Sequence, residues 1–463
     1  MNGAARLILW EAQRLVRTAC CALPGGMSAS RDFGSLNARM ASDMYFLSAR
    51  NPLATVDQRH IEEAALRVLE HPAMQAARLQ AGQLFRWVMA ADMSHLMSRF
   101  DGFLDEYMFH YAMRAAGNDP AYPRIMHFMS PPHRSFGRDV PGSRWGGDSP
   151  DFIYRSVATS FGPRYEIYGQ ETCETPPSVT FTLLEDRQAS SVVMSTLDSI
   201  DMEFGPEGAF TITVDPSPAN GRRNHIQTRP GCYAIWVRDA LGDWATSSPN
   251  RIRVHRLDPP GRLPLGDDEM ANWGAKAALD GVYYLYYLTR TSWLMEPNVM
   301  RPPTPTAALG GMPGQFSAGG RLQIGPDEAL VVNLNGAGAL FRNIVLTDPF
   351  WRTLDYCSRQ TSLNAGQSAA DADGTYTYVV SHRDPGIHNW QDACGESELR
   401  LSHRWQSFPM GEPEDEIRFA AKLVKFADLE SELPAGVRRI DAAGRQRQIA
   451  QREDGCRLRF SGS

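Results

Sequence analysis

The stretch Thr375-Tyr376-Thr377-Tyr378-Val379-Val380 alternates in strand fashion and runs into Ser381-His382-Arg383-Asp384-Pro385-Gly386-Ile387-His388-Asn389-Trp390-Gln391-Asp392. A period of two marks a strand with one face turned to a core, and Asp-Pro-Gly is turn chemistry. The twelve residues after the strand gather two histidines, two aspartates, an arginine, an asparagine and a tryptophan. A rigid sheet that ends in a loop of ionisable side chains is a frequent setting for binding and catalysis. The same residues also suit a structural corner, with Asn389 and Asp392 tying down backbone.

Outward from this stretch the strand pattern continues. Short alternating runs occupy residues 152–159, 164–168, 178–184, 210–214, 232–237, 251–256, 329–334, 342–346 and 399–403, separated by Gly, Pro, Asn and Asp. Strands of this length and spacing predict an antiparallel β-sandwich of jelly-roll type. Residues 1–118 read instead as a helical domain, with apolar positions recurring at three and four and a stop at His71-Pro72. Its long segment 74–116 carries a methionine-rich stripe, core or pocket lining, and a break is expected near Asp101-Gly102. His95 and His110 have no metal partner at helical spacing. Residues 119–149 form a Pro/Gly-rich connector, a type of segment often functional. Within the β region 150–410 a helical insertion is expected near 265–300, carrying Tyr283, Tyr284, Tyr286 and Tyr287, and a Pro/Gly-rich loop follows to Gly320. Residues 411–463 are expected to be a helical tail, amphipathic over 416–429 and loose at its end. The fold class is therefore α+β: a sandwich preceded by a helical domain. No internal repeat at a fixed period is visible.

The totals narrow the function. At 463 residues the chain can build substantial cores. A net charge of -6 and a pI near 6.0 offer no basic field for nucleic acid or an anionic membrane. Lysine occurs only at Lys276, Lys422 and Lys425, the remaining basic side chains being arginine. Seven scattered cysteines argue against a disulfide framework, and no Cys-x-x-Cys pair suggests zinc. The apolar run near Leu7 is too short for a signal core, and Arg17 spoils the lipoprotein-like Ala19-Cys20. No apolar run reaches membrane-spanning length. A cytoplasmic protein without membrane or nucleic-acid partners is expected.

Several phrases in order carry a resemblance. Pro150-Asp151-Phe152-Ile153-Tyr154-Arg155 with Arg164-Tyr165-Glu166-Ile167-Tyr168-Gly169, then the run from Phe210 to Asp239 with Asp243-Trp244, then Arg359-Gln360-Thr361-Ser362-Leu363-Asn364 and the His382–Asp392 stretch, resemble the DUF1214 family of uncharacterised bacterial proteins. The resemblance covers residues 145–410 and implies a jelly-roll β-sandwich. It leaves the N-terminal helical part unaccounted for and implies no activity.

Absent motifs exclude several chemistries. There is no phosphate loop, no Gly-x-Gly-x-x-Gly after a strand, no His-Glu-x-x-His and no Gly-x-Ser-x-Gly elbow, so no organic cofactor is expected. The candidate catalytic residues are His382, Asp384, His388 and Asp392, since imidazole titrates near neutrality and a carboxylate fixes its tautomer. Arg155, Arg238 and Arg359 could bind an anionic group by forked hydrogen bonds, or pin buried carboxylates such as Asp239 and Asp355. Tyr154, Trp244, Asn389 and Trp390 complete the candidate substrate contacts. A facial triad of His382, Asp384 and His388 is the metal alternative, but Pro385-Gly386 between them reads as a turn, and no metal is expected. Two function classes remain. One is an enzyme of small-molecule metabolism using acid–base chemistry (hydrolysis, elimination or isomerisation) on an apolar or aromatic substrate. The other is a carbohydrate- or ligand-binding β-sandwich, and the helical part could also serve as a homo-oligomer interface.

Overall fold

Helical periodicity after Thr55, whose Oγ1 accepts from the Gln58 amide, builds α1 (Val56–Glu70) in a computed structural model that describes residues 44–89, 93–172, 178–187, 190–309 and 312–460. The opening apolar run, Cys20, Cys21 and Cys173 lie outside the described residues. His71 precedes a proline and takes extended backbone, which ends α1; Pro72 opens α2 (Pro72–Met89). The break expected near Gly102 comes earlier, in a 3-10 turn at Ser94–Arg99. Asp101 then lies in the first turn of α3 (Phe100–Gly117), where a carboxylate suits the helix N-terminus. The long α4 (Asp267–Trp293) packs on this group. Gly281 lets it approach, since a Cβ there would stand 2.0 Å from the Tyr111 hydroxyl oxygen. Next to it the Tyr107 hydroxyl donates to the Ala278 carbonyl. The methionine stripe is core: Met89, Met93, Met108 and Met113 are buried among Phe85, Phe100 and Phe103.

The β region forms two units. The first contains β1 (Ile125–Phe128), the hairpin β2 (His133–Ser135) and β3 (Arg138–Val140), β4 (Phe152–Ala158), β5 (Tyr165–Gln170), β6 (Ser178–Arg187), β7 (Ser190–Asp198), β8 (Ala209–Asp215), β9 (His225–Gln227), β10 (Cys232–Ala240) and β11 (Arg251–Arg256). Its sheets run β1-β4-β10-β6-β7 and β11-β5-β8-β9, sharing a core of Val157, Phe181 and Ile235 with Ile167, Ile212 and Ile252. Helix α4 leads to the second unit: β12 (Arg301–Pro305), β13 (Phe316–Gln323), β14 (Glu328–Leu334), β15 (Phe341–Thr347), β16 (Ser362–Asn364), β17 (Tyr376–Ser381), β18 (Trp390–Asp392), β19 (Glu398–Gln406) and β20 (Phe419–Lys425). These sheets run β12-β13-β19-β15-β16 and β18-β17-β14-β20, with Leu322, Ile344 and Leu401 facing Leu330, Val332 and Val380.

Strand for strand, β4 to β11 and β13 to β20 follow the same order and pairing. Even the exceptions coincide: β8–β9 and β17–β18 are parallel in otherwise antiparallel sheets. The protein is thus of mixed α+β class, with two pairs of facing sheets in place of one interrupted sandwich. The segment expected as a loop to Gly320 supplies β12 and half of β13. The tail also differs. Residues 419–425 form β20, not a helix, because β14 offers a free edge and the alternation Phe419, Ala421, Leu423 faces the core. The short α5 (Leu429–Glu432) follows, and the polar end expected to be loose is α6 (Ala442–Phe460). No helix among the described residues is long and apolar enough to cross a membrane.

Asp151, fully buried, joins the units. Its carboxylate accepts from Trp244 Nε1 (3.0 Å) and Asn364 Nδ2 (2.9 Å) at one oxygen and from Asn343 Nδ2 (3.1 Å) at the other. Trp244 belongs to the first unit, and Asn343 and Asn364 to the second. Burial pushes the carboxyl pKa up, while the two amides and the guanidinium groups of Arg452 and Arg459 on α6 oppose that shift. Arg452 donates to Tyr356 O and Ser362 O, and Arg459 to Pro150 O, so α6 docks by buried arginines. A disulfide between Cys357 and Cys456 fastens it. The odd cysteine count argued against a disulfide framework; among the described cysteines this one pair does bridge.

Alanine at Gly281 would ordinarily gain about 1 kcal/mol of helix propensity. Here the clash with Tyr107 and Tyr111 should win, and Gly281→Ala should lower stability by ~1–3 kcal/mol in a denaturant titration. Reduction of Cys357–Cys456, which closes a loop of 99 residues, should cost about 2–4 kcal/mol by the same measurement.

Candidate functional site

A cavity of about 300 Å³ opens where α3, α4, the connector and both β units meet. Its apolar walls are Phe152 and Tyr154 from β4, Trp236 from β10, Trp145 from the connector, Tyr284 from α4 and Met129. Three arginines reach it: Arg114 from α3, Arg238 from β10 and Arg404 from β19. Strand alternation explains the last two, since Trp236 and Arg238 share one face of β10, and Arg404 lies on the face of β19 turned away from Trp405 and the core of the second unit.

Among the described residues no carboxylate pairs with any of the three. Arg238 donates from Nη1 to Thr182 Oγ1 (3.2 Å) and lies 5.2 Å from the centroid of the Trp236 ring. Burial lowers its pKa, with Arg404 adding like-charge repulsion. Arg404 donates from Nη2 to Gly147 O (2.9 Å). Gly147 has φ +82°, and a Cβ there would lie 2.8 Å from the Trp351 ring. Arg114 sits among the rings of Tyr111, Tyr233 and Trp273 at 5.6–5.7 Å.

Asp148 is the carboxylate of the wall. Burial pushes it up to about 7, against opposing effects from its hydrogen bonds to Thr353 and from the nearby Arg144 charge. Thr353 Oγ1 donates to Oδ2 (2.7 Å) and the Thr353 amide to Oδ1 (3.3 Å). His110, also on the wall, is buried and held well below its usual pKa, with Nδ1 3.2 Å from the Ser143 carbonyl. A neutral imidazole, a carboxyl that exchanges its proton near neutrality and three guanidinium groups thus share an aromatic enclosure.

The residues singled out from sequence divide among separate places. Tyr154 and Arg238 line this cavity. Trp244 and His388 line a second, polar cavity of about 240 Å³ beneath α6, where His388 Nδ1 meets Asn389 Oδ1 (3.1 Å) and burial lowers the imidazole pKa. Arg155 pins buried Asp239 (2.5 Å) and donates to Asn250 O (2.7 Å). Arg359 pairs with Asp392 (2.7 Å) near the surface. Asp384 pairs with Arg445 of α6 (2.9 Å), and the Arg445 guanidinium lies over the Trp390 ring. Asn389 bonds Ala369 and Thr377 backbone. His382 Nε2 lies 3.4 Å from the Ile324 carbonyl, and its ring acts electrostatically on Glu396. His382, Asp384 and His388 therefore turn to different partners. Among the described residues no cluster of three or more His, Cys, Asp or Glu could hold a metal ion.

The duplicated topology bears on the Ser381–Asp392 stretch. Its counterpart is the β8–β9 crossover, where Asp215 Oδ1 accepts from the Ser217 amide and Arg222 pairs with Asp215. Asp384 likewise accepts from the Gly386 amide and pairs with Arg445. At both corners an aspartate accepts from a backbone amide two residues on and pairs with an arginine.

Sequence reasoning passed over Arg114, Arg404, Asp148, Trp145, Trp236 and Tyr284. The available signals were the unusual length of the connector that holds Trp145 to Asp148 and the tyrosine cluster on α4.

No protein-family model matches the chain, and no curated protein matches it. Among solved structures, the chain is similar to an uncharacterised protein from Burkholderia cenocepacia at 21% identity and a TM-score of 0.66, over 78% of this chain and 99% of that one. That likeness is one of fold. A likeness to the VPA0106 protein from Vibrio parahaemolyticus (12% identity, TM-score 0.38, over 60% of this chain and 90% of that one) is too weak to carry an argument.

Breaking a buried ion pair leaves an uncompensated charge and costs about 3–5 kcal/mol, whereas an exposed pair contributes under ~1 kcal/mol. Arg155→Ala should therefore destabilise strongly in chemical denaturation and Arg359→Ala hardly at all.

Proposed function

We propose that the protein is an enzyme of small-molecule metabolism and that the central cavity is its active site. The chemistry is acid–base (hydrolysis, elimination or isomerisation) on an apolar or aromatic substrate, without an organic cofactor. The observation that carries this reading is Asp148, a carboxyl pushed up to about 7 by burial inside an aromatic enclosure. A general acid or base works best when its pKa lies near the operating pH, and such tuning is concentrated at functional sites. Asp148 would accept or deliver the proton, with Thr353 holding the carboxyl in place. The aromatic walls would exclude water and hold the substrate body.

A non-catalytic ligand-binding protein is the second reading. It is favoured by the two Thr353 hydrogen bonds, one to each oxygen of Asp148.

In the same proposal the two β units are of jelly-roll type and related to the DUF1214 family, a reading supported by their shared strand order and by the phrases in residues 145–410. The Cys357–Cys456 bridge argues for an oxidising compartment over the cytoplasm, where the pair would be kept reduced.

The test is Asp148→Asn, screened against a panel of aromatic esters, hydroxy acids and unsaturated acids by NMR. We expect turnover in the wild type with an inflection near pH 7, and a loss of at least about 100-fold in the variant, as for a removed acid–base group. Turnover unaffected by the substitution would remove Asp148 from the chemistry, and ligand binding without turnover would select the second reading. Stability gives a further check. A carboxyl whose folded pKa is raised above the ordinary 3.8 stabilises the fold less as pH rises through about 7. Wild-type Tm should fall between about pH 4 and about pH 7 and level off above, and Asp148→Asn should flatten that slope.

A further inference from the structure

We infer that the ligand of the central cavity is an organic anion, an aromatic carboxylate or sulfonate, bound by Arg238 and Arg404 with its ring against Trp236 and Tyr284. The inference rests on reading the cavity as the functional site and adds the class of molecule it takes. Several other arginines withdrawn from solvent find carboxylates: Arg144 pairs with Glu106 (2.6 Å), Arg155 with Asp239, Arg321 with Glu398 (3.3 Å) and Arg352 with Asp348 (3.1 Å). Arg452 and Arg459 are held instead by backbone carbonyls, and Arg342 and Arg400 lie over aromatic rings. Neither Arg238 nor Arg404 makes an ion pair among the described residues. Arg404 Nη1 is buried with no hydrogen-bond partner, and so is Trp145 Nε1 on the same wall.

Arg404 lies close enough to Arg238 to repel it, and Arg404 Nη1 is a buried donor left unmet at the cavity wall. A carboxylate or sulfonate between them would supply the missing charge and accept in forked geometry. Trp145 Nε1 is one further donor for such a group. Asp148, the wall's own carboxylate, is already held by Thr353. A volume of about 300 Å³ stands at the lower end of small-molecule sites. The flat walls of Trp236, Tyr284 and Phe152 suit a one- or two-ring body.

The experiment measures binding, so its outcome is independent of turnover. Quenching of tryptophan fluorescence and calorimetry would compare 2-naphthoate with its neutral isostere 2-naphthamide. We expect the acid to bind at least tenfold more tightly. Arg238→Gln and Arg404→Gln should each remove that preference while leaving the amide's affinity within twofold. Equal affinity for acid and amide, or no binding of either at millimolar concentration, would overturn the inference. If neither variant folds, the wild-type preference alone decides it. Asp148→Asn separates the two readings: a variant that keeps the acid preference leaves the anion site standing even where the catalytic role of Asp148 fails.

Discussion

The carboxylate of Asp151 is the point on which both β units depend. It is removed from water, and three side chains that donate to it come from three places in the chain. A buried carboxylate is tolerable only when its acceptors are filled. The first unit therefore needs Asn343 and Asn364 of the second, and α6 adds two guanidinium charges from the outside. With the junction fixed, β10 and β19 present Arg238 and Arg404 to one cavity, and α3 and α4 close it from the helical side.

The same junction explains which parts of the fold were legible. The phrases that mark the resemblance contain Asp151, Trp244 and Asn364, so the most recognisable residues are the ones that bind the halves together. Strands with clean alternation, such as 232–237 and 376–380, were readable from their period of two, although 376–380 buries both faces. β20 was not, because a short run such as Phe419 to Lys425 fits helix and strand alike until the free edge of β14 selects one. The duplication escaped detection for a related reason. The two units share strand order, but their outward faces meet different neighbours and their residues differ.

The candidate site was half legible. Arg238 and Tyr154 could be named from their strands, but Arg114, Asp148 and Arg404 lie far apart in sequence and meet only when helices and both units assemble. The His382–Asp392 stretch drew attention because polar residues are dense there. That density serves a crossover corner and the docking of α6 through Arg445. Density of ionisable groups along the chain is a poor guide to convergence in space. Charge pairing is the better discriminator among the described residues: Asp384 and Asp392 at the corner find arginines, whereas Arg238 and Arg404 in the cavity find no carboxylate.

Strand order also governs how the chain can reach this state. Within each unit, β4 pairs with β10 and β13 with β19, strands separated by most of the unit's length. Loop entropy must be lost before such contacts form, which makes assembly slow and leaves sheet edges bare meanwhile. The helices α1 to α3 pack on one another across short separations, and α4 joins them from some way along the chain. A folding pathway in which this helical layer collects β4 and then β10, with the second unit joining through Asp151, would keep the aromatic faces of the cavity covered from the start.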